Sequence, residues 1–210
     1  MKKEKVFRKL ILCGFVFFII APMMAFGSDQ QAKKSKPSEI KHGGILRISA
    51  REDPLTLGFP PTQKYQPSAV YVDSCLETLA RFDKTGAPVP WLATGWKTDT
   101  KAKTITLTLR KGVKFHDGTD FNAKAVKWNL DKCKAAHRGE LTFLKSTDVI
   151  DNYTVRLNLS RMDSLLISNM AMTPGEMISP TAWEKAGSTD DERDSWCEKN
   201  PVSTGPFKFV

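Results

Sequence analysis

Residues 91–133 read WLATGWKTDTKAKTITLTLRKGVKFHDGTDFNAKAVKWNLDKC. From Thr104 the residues alternate, with Ile105, Leu107 and Leu109 on one face and Thr104, Thr106, Thr108 and Arg110 on the other. That is the period of a half-buried strand. Lys111-Gly112 turns the chain, Val113 and Phe115 resume the alternation, and Asp117-Gly118 predicts a second tight turn, because glycine takes positive φ without steric cost. Asn122 offers a helix cap, and behind it Ala123, Val126, Leu130 and Cys133 place one apolar stripe on a short helix. The result is a strand, turn, strand, turn, helix unit of mixed α/β type in which nothing is obliged to do chemistry.

The 210 residues, 40% of them apolar, suffice for a core of ordinary domain size. The first 27 are a different material. Lys2, Lys3, Lys5, Arg8 and Lys9 precede an apolar run from Leu10 to Phe26, and Ala25-Phe26-Gly27 supplies a small-x-small site before Ser28. This is the pattern of a cleaved secretory signal peptide. The run is interrupted by Pro22 and falls short of the length that spans a bilayer as a retained anchor. Losing the leader removes five basic residues and Glu4, so the formal net charge falls from +9 to +5. The remaining chain has no basic stripe with interleaved aromatics, which argues against a nucleic-acid partner.

Residues 28–42 are polar, lysine-rich and aperiodic, as expected of a mobile linker. Ile45 to Ala50 reads as a strand that Asp53-Pro54 breaks, and Pro67 suits the first turn of a helix whose buried stripe is Val72, Cys75, Leu76 and Leu79. Asp83 to Gly86 is a turn. Val155, Leu157 and Leu159 alternate with Thr154, Arg156 and Asn158 as a further strand, after an Asp151-Asn152 turn. Asp163 or Ser164 caps a helix carrying Leu165, Leu166, Asn169 and Met170, and Ser179-Pro180 opens another that Gly187 ends. The stretch from Thr189 to Lys199 reads as a charged segment, and Phe207 and Phe209 as the start of an alternating strand.

Cys75, Cys133 and Cys197 are an odd set for an oxidising compartment. The first two suit buried thiols; Cys197, in a polar stretch, is open to bridging Cys133 or a partner beyond residue 210. His116-Asp117 is the one acid-base neighbour pair inside a motif, and a turn with a capping aspartate accounts for it better than a dyad. His42, His116 and His137 lack ligand spacing, so no metal site is indicated, and the chain has no phosphate loop, nucleophile elbow or dinucleotide fingerprint calling for a cofactor. Trp91, Trp96 and Trp128 sit beside core-forming residues, where packing is their expected role.

The order Pro90, Leu92, Ala93, Trp96, then Leu109, Arg110, Gly112, Val113, Lys114, Phe115, His116, Asp117 and Gly118, then Ala123 and Val126, resembles the signature of the family 5 solute-binding proteins of ABC importers. So does the segment around Gly205 and Pro206, with Ser203 in place of a frequent glycine; Lys124 or Ala125 stands where many members carry an acidic residue. The resemblance implies a type II periplasmic-binding-protein fold, two-lobed with an extra inserted subdomain. Residues 43–80 would open lobe I, 81–173 would form the subdomain and 174–210 would return to lobe I. A chain that stops as a strand begins would then be an N-terminal fragment lacking lobe II.

By the same resemblance the protein is a periplasmic monomer that binds di- or oligopeptides or related solutes, hands them to a membrane permease and catalyses nothing. The loop Thr62, Gln63, Lys64 and Tyr65 would line the interlobe cleft. Two alternatives stay open: a secreted hydrolase with its catalytic residues beyond residue 210, and a sensor or chaperone on the same fold.

Overall fold

The computed structural model describes residues 54, 56–63 and 69–210. The signal peptide, the linker, the strand at Ile45, Pro67, Lys64 and Tyr65 lie outside the described residues. The elements run α1 (Ala69–Val72), β1 (Ala80–Phe82), β2 (Pro88–Pro90), β3 (Ala93–Asp99), β4 (Thr104–Leu109), α2 (Ala123–Ala135), β5 (Leu144–Asp151), β6 (Thr154–Leu159), α3 (Leu166–Asn169), α4 (Pro180–Lys185) and α5 (Asp190–Cys197).

β4 is the strand its alternation predicts, with Ile105, Leu107 and Leu109 buried. It sits inside an antiparallel sheet of order β3-β4-β6-β5, and β6 carries the matching buried set Val155, Leu157 and Leu159. α2 lies against β5 and β6, and its stripe Ala123, Val126, Leu130 and Cys133 is fully buried. The Asn122 side chain accepts hydrogen bonds from the Lys124 and Ala125 amides, satisfying two of the donors that a helix start leaves open. A second, smaller core gathers Phe59, Val72, Leu76, Ile178, Trp183 and Cys197, and Trp128 on the far side of α2 packs against it. One helix thus joins both cores.

Several expectations need correction. α1 ends at Val72, so Cys75, Leu76 and Leu79 are buried but lie beyond the helix. Tertiary pairing wins there: Leu79 N–H donates to the Gly175 carbonyl, Met177 N–H to that of Glu77 and Ala80 N–H to that of Met170. Val113 to Phe115 forms no strand. It meets the chain beyond the Asp117-Gly118 turn at a single bridge, Lys114 with Asp120, because His116 N–H turns away to the Ser203 carbonyl. Leu165 is 63% exposed at the start of α3 rather than on its buried side, although the Asp163 carboxylate does accept from the Leu165 amide. The charged segment after Thr189 is helix α5, closed by a capping box in which Thr189 and Glu192 each accept from the other's backbone amide. Phe207 and Phe209 lie exposed outside any strand. Cys75, Cys133 and Cys197 are all free and buried, so Cys197 bridges neither Cys133 nor Cys75.

Candidate functional site

The two motif segments meet. His116 lies at the turn that Gly118, at φ +86°, allows to close. Its Nδ1 accepts from the Ser203 amide at 3.3 Å, which fixes the proton on Nε2, and Nε2 donates to the Gly205 carbonyl at 2.8 Å. Asp117 accepts from the Thr119 amide, the Thr119 hydroxyl and the Ser179 hydroxyl. Burial raises the Asp117 carboxyl, but the Ser179 and Thr119 hydrogen bonds outweigh it and hold the group below its ordinary range. Both side chains are engaged by hydrogen bonds, within the turn, to Ser179 and to the Ser203–Gly205 return.

The remaining motif residues make packing and backbone contacts. Leu109 and Phe115 are buried, Trp96 packs against the main core, and Phe115 meets Phe121 edge-on at 6.1 Å. Gly112 takes φ +75° at the first turn. Arg110 donates through Nε and Nη2 to the Trp91 carbonyl. Gly205 donates its amide to the Cys75 carbonyl at 2.9 Å, and any Cβ there would collide with that same carbonyl.

The clasp borders a cleft of about 670 Å³ between the segment after α1, β1, Trp91 and the Thr204–Pro206 return. Asp73, Glu77, Thr78, Arg81, Trp91 and Thr204 line it. Trp91 is fixed there: its Nε1–H donates to the Glu77 carboxylate at 2.9 Å, and the Arg81 guanidinium lies 4.3 Å from the ring centroid. Burial raises the Asp73 carboxyl, and Arg81 draws it back in part. Glu176, paired through the backbone with Thr78, is buried. Its carboxyl is pushed up to about 8 by burial and by repulsion from Asp73, with Arg138 partly offsetting. Its Oε2 has no hydrogen-bond partner, and neither has the Thr204 hydroxyl.

Trp91 therefore faces an open cleft rather than serving packing alone, whereas Trp128 packs edge-on against Trp183 at 5.4 Å. Of the loop expected to meet solute, Thr62 is exposed and bonds Glu198, while Gln63 is buried with its carbonyl accepting from Arg138. Neither is among the described residues lining this cleft. Asp73, Glu77, Arg81 and Thr204 carried no sequence signal, since they are scattered over some 130 positions and belong to no local pattern. Among the described residues no group of His, Cys, Asp and Glu is placed to hold a metal, and no helix is long and apolar enough to cross a membrane.

Comparison with known proteins places this geometry in a class. The profile of "Bacterial extracellular solute-binding proteins, family 5 Middle" matches residues 87–210. The chain belongs to that family. It is 32% identical over 151 residues to the glutathione-binding protein GsiB of Pectobacterium atrosepticum, covering 66% of this chain and 28% of the relative. It is 39% identical over 123 residues to the GsiB of Salmonella choleraesuis, covering 56% and 23%.

Among solved structures, the periplasmic binding protein DppA of Helicobacter pylori in complex with the peptide STSA superposes with a TM-score of 0.62 at 27% identity, over 74% of this chain and 35% of that one. NikA of Brucella suis in complex with Fe(III)-EDTA gives 0.61 at 25% identity, over 76% and 33%. The fold is that of the type II periplasmic binding proteins, and this chain spans about a third of the solved structures and less than a third of the curated relatives it matches.

Proposed function

We propose that the chain forms part of the solute-capturing component of an ABC importer, working in the periplasm as a monomer, and that its cargo is a di- or oligopeptide. The observation that carries this reading is the cleft beside the clasp. It combines an aromatic wall at Trp91 with acidic Asp73 and Glu77 and basic Arg81. Apolar surface with a few convergent groups of both charges suits a small zwitterionic solute. Relatives named for glutathione and a structure holding the peptide STSA support the peptide class. In the intact protein the two lobes close over the solute and the closed form is what the permease accepts. The loop Thr62, Gln63, Lys64 and Tyr65 is proposed to meet solute as well, apart from this cleft, which Thr62 and Gln63 do not line.

Thermal unfolding of the full-length protein against di- to pentapeptides, nickel chelates, haem and oligosaccharides tests the reading. A ligand that binds only the folded state stabilises it by about 2.7 kcal/mol at a hundredfold excess over Kd. Peptides raise the midpoint and the other classes leave it unchanged. A shift with another class alone moves the cargo there, and no shift with any of them, in a protein that unfolds cooperatively, overturns solute capture.

A further inference from the structure

One end of the four-stranded sheet carries a set of cations without counterions. Lys101 and Lys103 sit in the turn between β3 and β4, Lys145 stands at the start of β5, and Arg161 follows β6. The topology gathers them. Leu159 N–H donates to the Lys103 carbonyl, Ser160 N–H donates to the Phe143 carbonyl, and Leu144 pairs with Leu159. Because β4, β6 and β5 are neighbours, their three ends span about 10 Å, close to the Debye length at physiological salt. A partner therefore meets the four charges as one patch.

All four side chains are exposed and none forms an ion pair among the described residues, whereas Lys114, Lys127 and Lys132 each meet an aspartate. Arg161 instead lies 3.7 Å from the Phe143 ring centroid. The acids at this end are turned to the backbone: Asp99 accepts from the Ala102 amide and Asp163 from the Leu165 amide. Glu140 is matched by Arg138. The rim thus stays positive. Four residues after Arg161, Leu165 is 63% exposed. A lone exposed leucine is ordinary, but one set among unpaired cations is the combination found in segments that lie on membranes.

We infer that this rim docks the protein on an anionic phospholipid surface, with Lys101, Lys103, Lys145 and Arg161 against headgroup phosphates and Leu165 at the acyl boundary. Long exposed side chains at the ends of separate strands suit a diffuse layer of phosphates better than one shaped anion. Leu165 adds an apolar contact that a soluble polyanion does not offer. Docking keeps the chain beside a membrane permease, yet the chemistry of the rim is independent of any cargo.

The test is co-sedimentation of the full-length secreted protein with vesicles of phosphatidylcholine alone and of phosphatidylcholine carrying about 30% phosphatidylglycerol. Partitioning onto the anionic vesicles exceeds that onto the neutral ones by about a hundredfold at low salt and falls as salt rises. Lys101→Gln with Lys103→Gln lowers it about thirtyfold, each lysine near the surface contributing about fivefold. Lys111→Gln with Lys124→Gln removes the same charge beside Asn152 and Tyr153, at the opposite end of the sheet, and leaves partitioning within about twofold. Leu165→Ser lowers it about tenfold. All these positions are exposed, and thermal midpoints equal to the parent's exclude unfolding as the cause. Equal partitioning onto both kinds of vesicle, or equal losses in the two lysine pairs, overturns the docking. A loss with Lys101 and Lys103 but none with Leu165→Ser moves the rim to an acidic protein face and overturns it too. Solute titrations are the same in every variant, so such a failure leaves solute capture standing.

Discussion

Asn129 shows how much a single polar side chain can hold together. It faces inward from α2, 2% exposed, where its Nδ2 donates to the Ala125 and Ile178 carbonyls and its Oδ1 accepts from the Ile178 amide. The side chain behaves as a piece of backbone, pairing with Ile178 as a strand would. Asn129→Ala strands the Ile178 amide and carbonyl and costs about 1–3 kcal/mol, read from denaturant unfolding.

Glu176 makes a prediction of opposite sign. An unfolded glutamate releases its proton near 4.5, whereas the folded group holds it to about 8. Between those values the folded state binds the extra proton, so its stability falls as pH rises through that window. Glu176→Gln therefore raises the solute-free melting temperature at pH 8 and leaves it unchanged below pH 4. An unchanged midpoint at both would show that the carboxyl is not held in its uncharged form. Neither residue was legible in the sequence. Each reads as an ordinary polar position, and the partners that define it stand 49 positions away at Ile178 or about 100 away at Asp73.

At the level of elements, legibility followed how self-contained each signal was. β4, β6 and α2 carry their own periodicity and caps, and the structure returns them where the pattern put them. β3 and β5 were not read as strands. They are the edges of the sheet, each with one paired side, and Lys97, Thr98 and Asp99 or Lys145 and Ser146 sit exposed where alternation would be sought. α5 was hidden by its charge, although Thr189 and Glu192 spell a capping box. That box leads to a prediction. Thr189→Ala removes the acceptor for the Glu192 amide, costs about 1 kcal/mol and frays the first turn. Cys197 at the far end of α5 is buried, with its thiol pushed up to about 12 by burial and by Asp194, and resists alkylation. Mass-spectrometric mapping after iodoacetamide treatment finds Cys197 labelled faster in Thr189→Ala than in the parent, with Cys133 unchanged in both. Equal labelling of Cys197 would show that the cap does not govern that helix.

On the scale of the whole molecule, family membership was readable because its signature occupies continuous sequence, and the profile match over residues 87–210 covers that signature. The cleft was not readable, because it exists only where the segment after α1, β1, Trp91 and the Thr204–Pro206 return come together. The bond between His116 and Gly205 that draws in the last of these spans 89 positions, whereas every pairing of the four-stranded sheet lies between Ala93 and Leu159. Distance along the chain becomes order in time. In a chain that emerges N-terminus first, the sheet has all its strands available well before Ser203 arrives to meet the imidazole. The hook is made early and its eye late. A chain delivered N-terminus first therefore holds every strand of the sheet before it holds the residues that fasten the cleft, and that wall is complete only when Gly205 arrives.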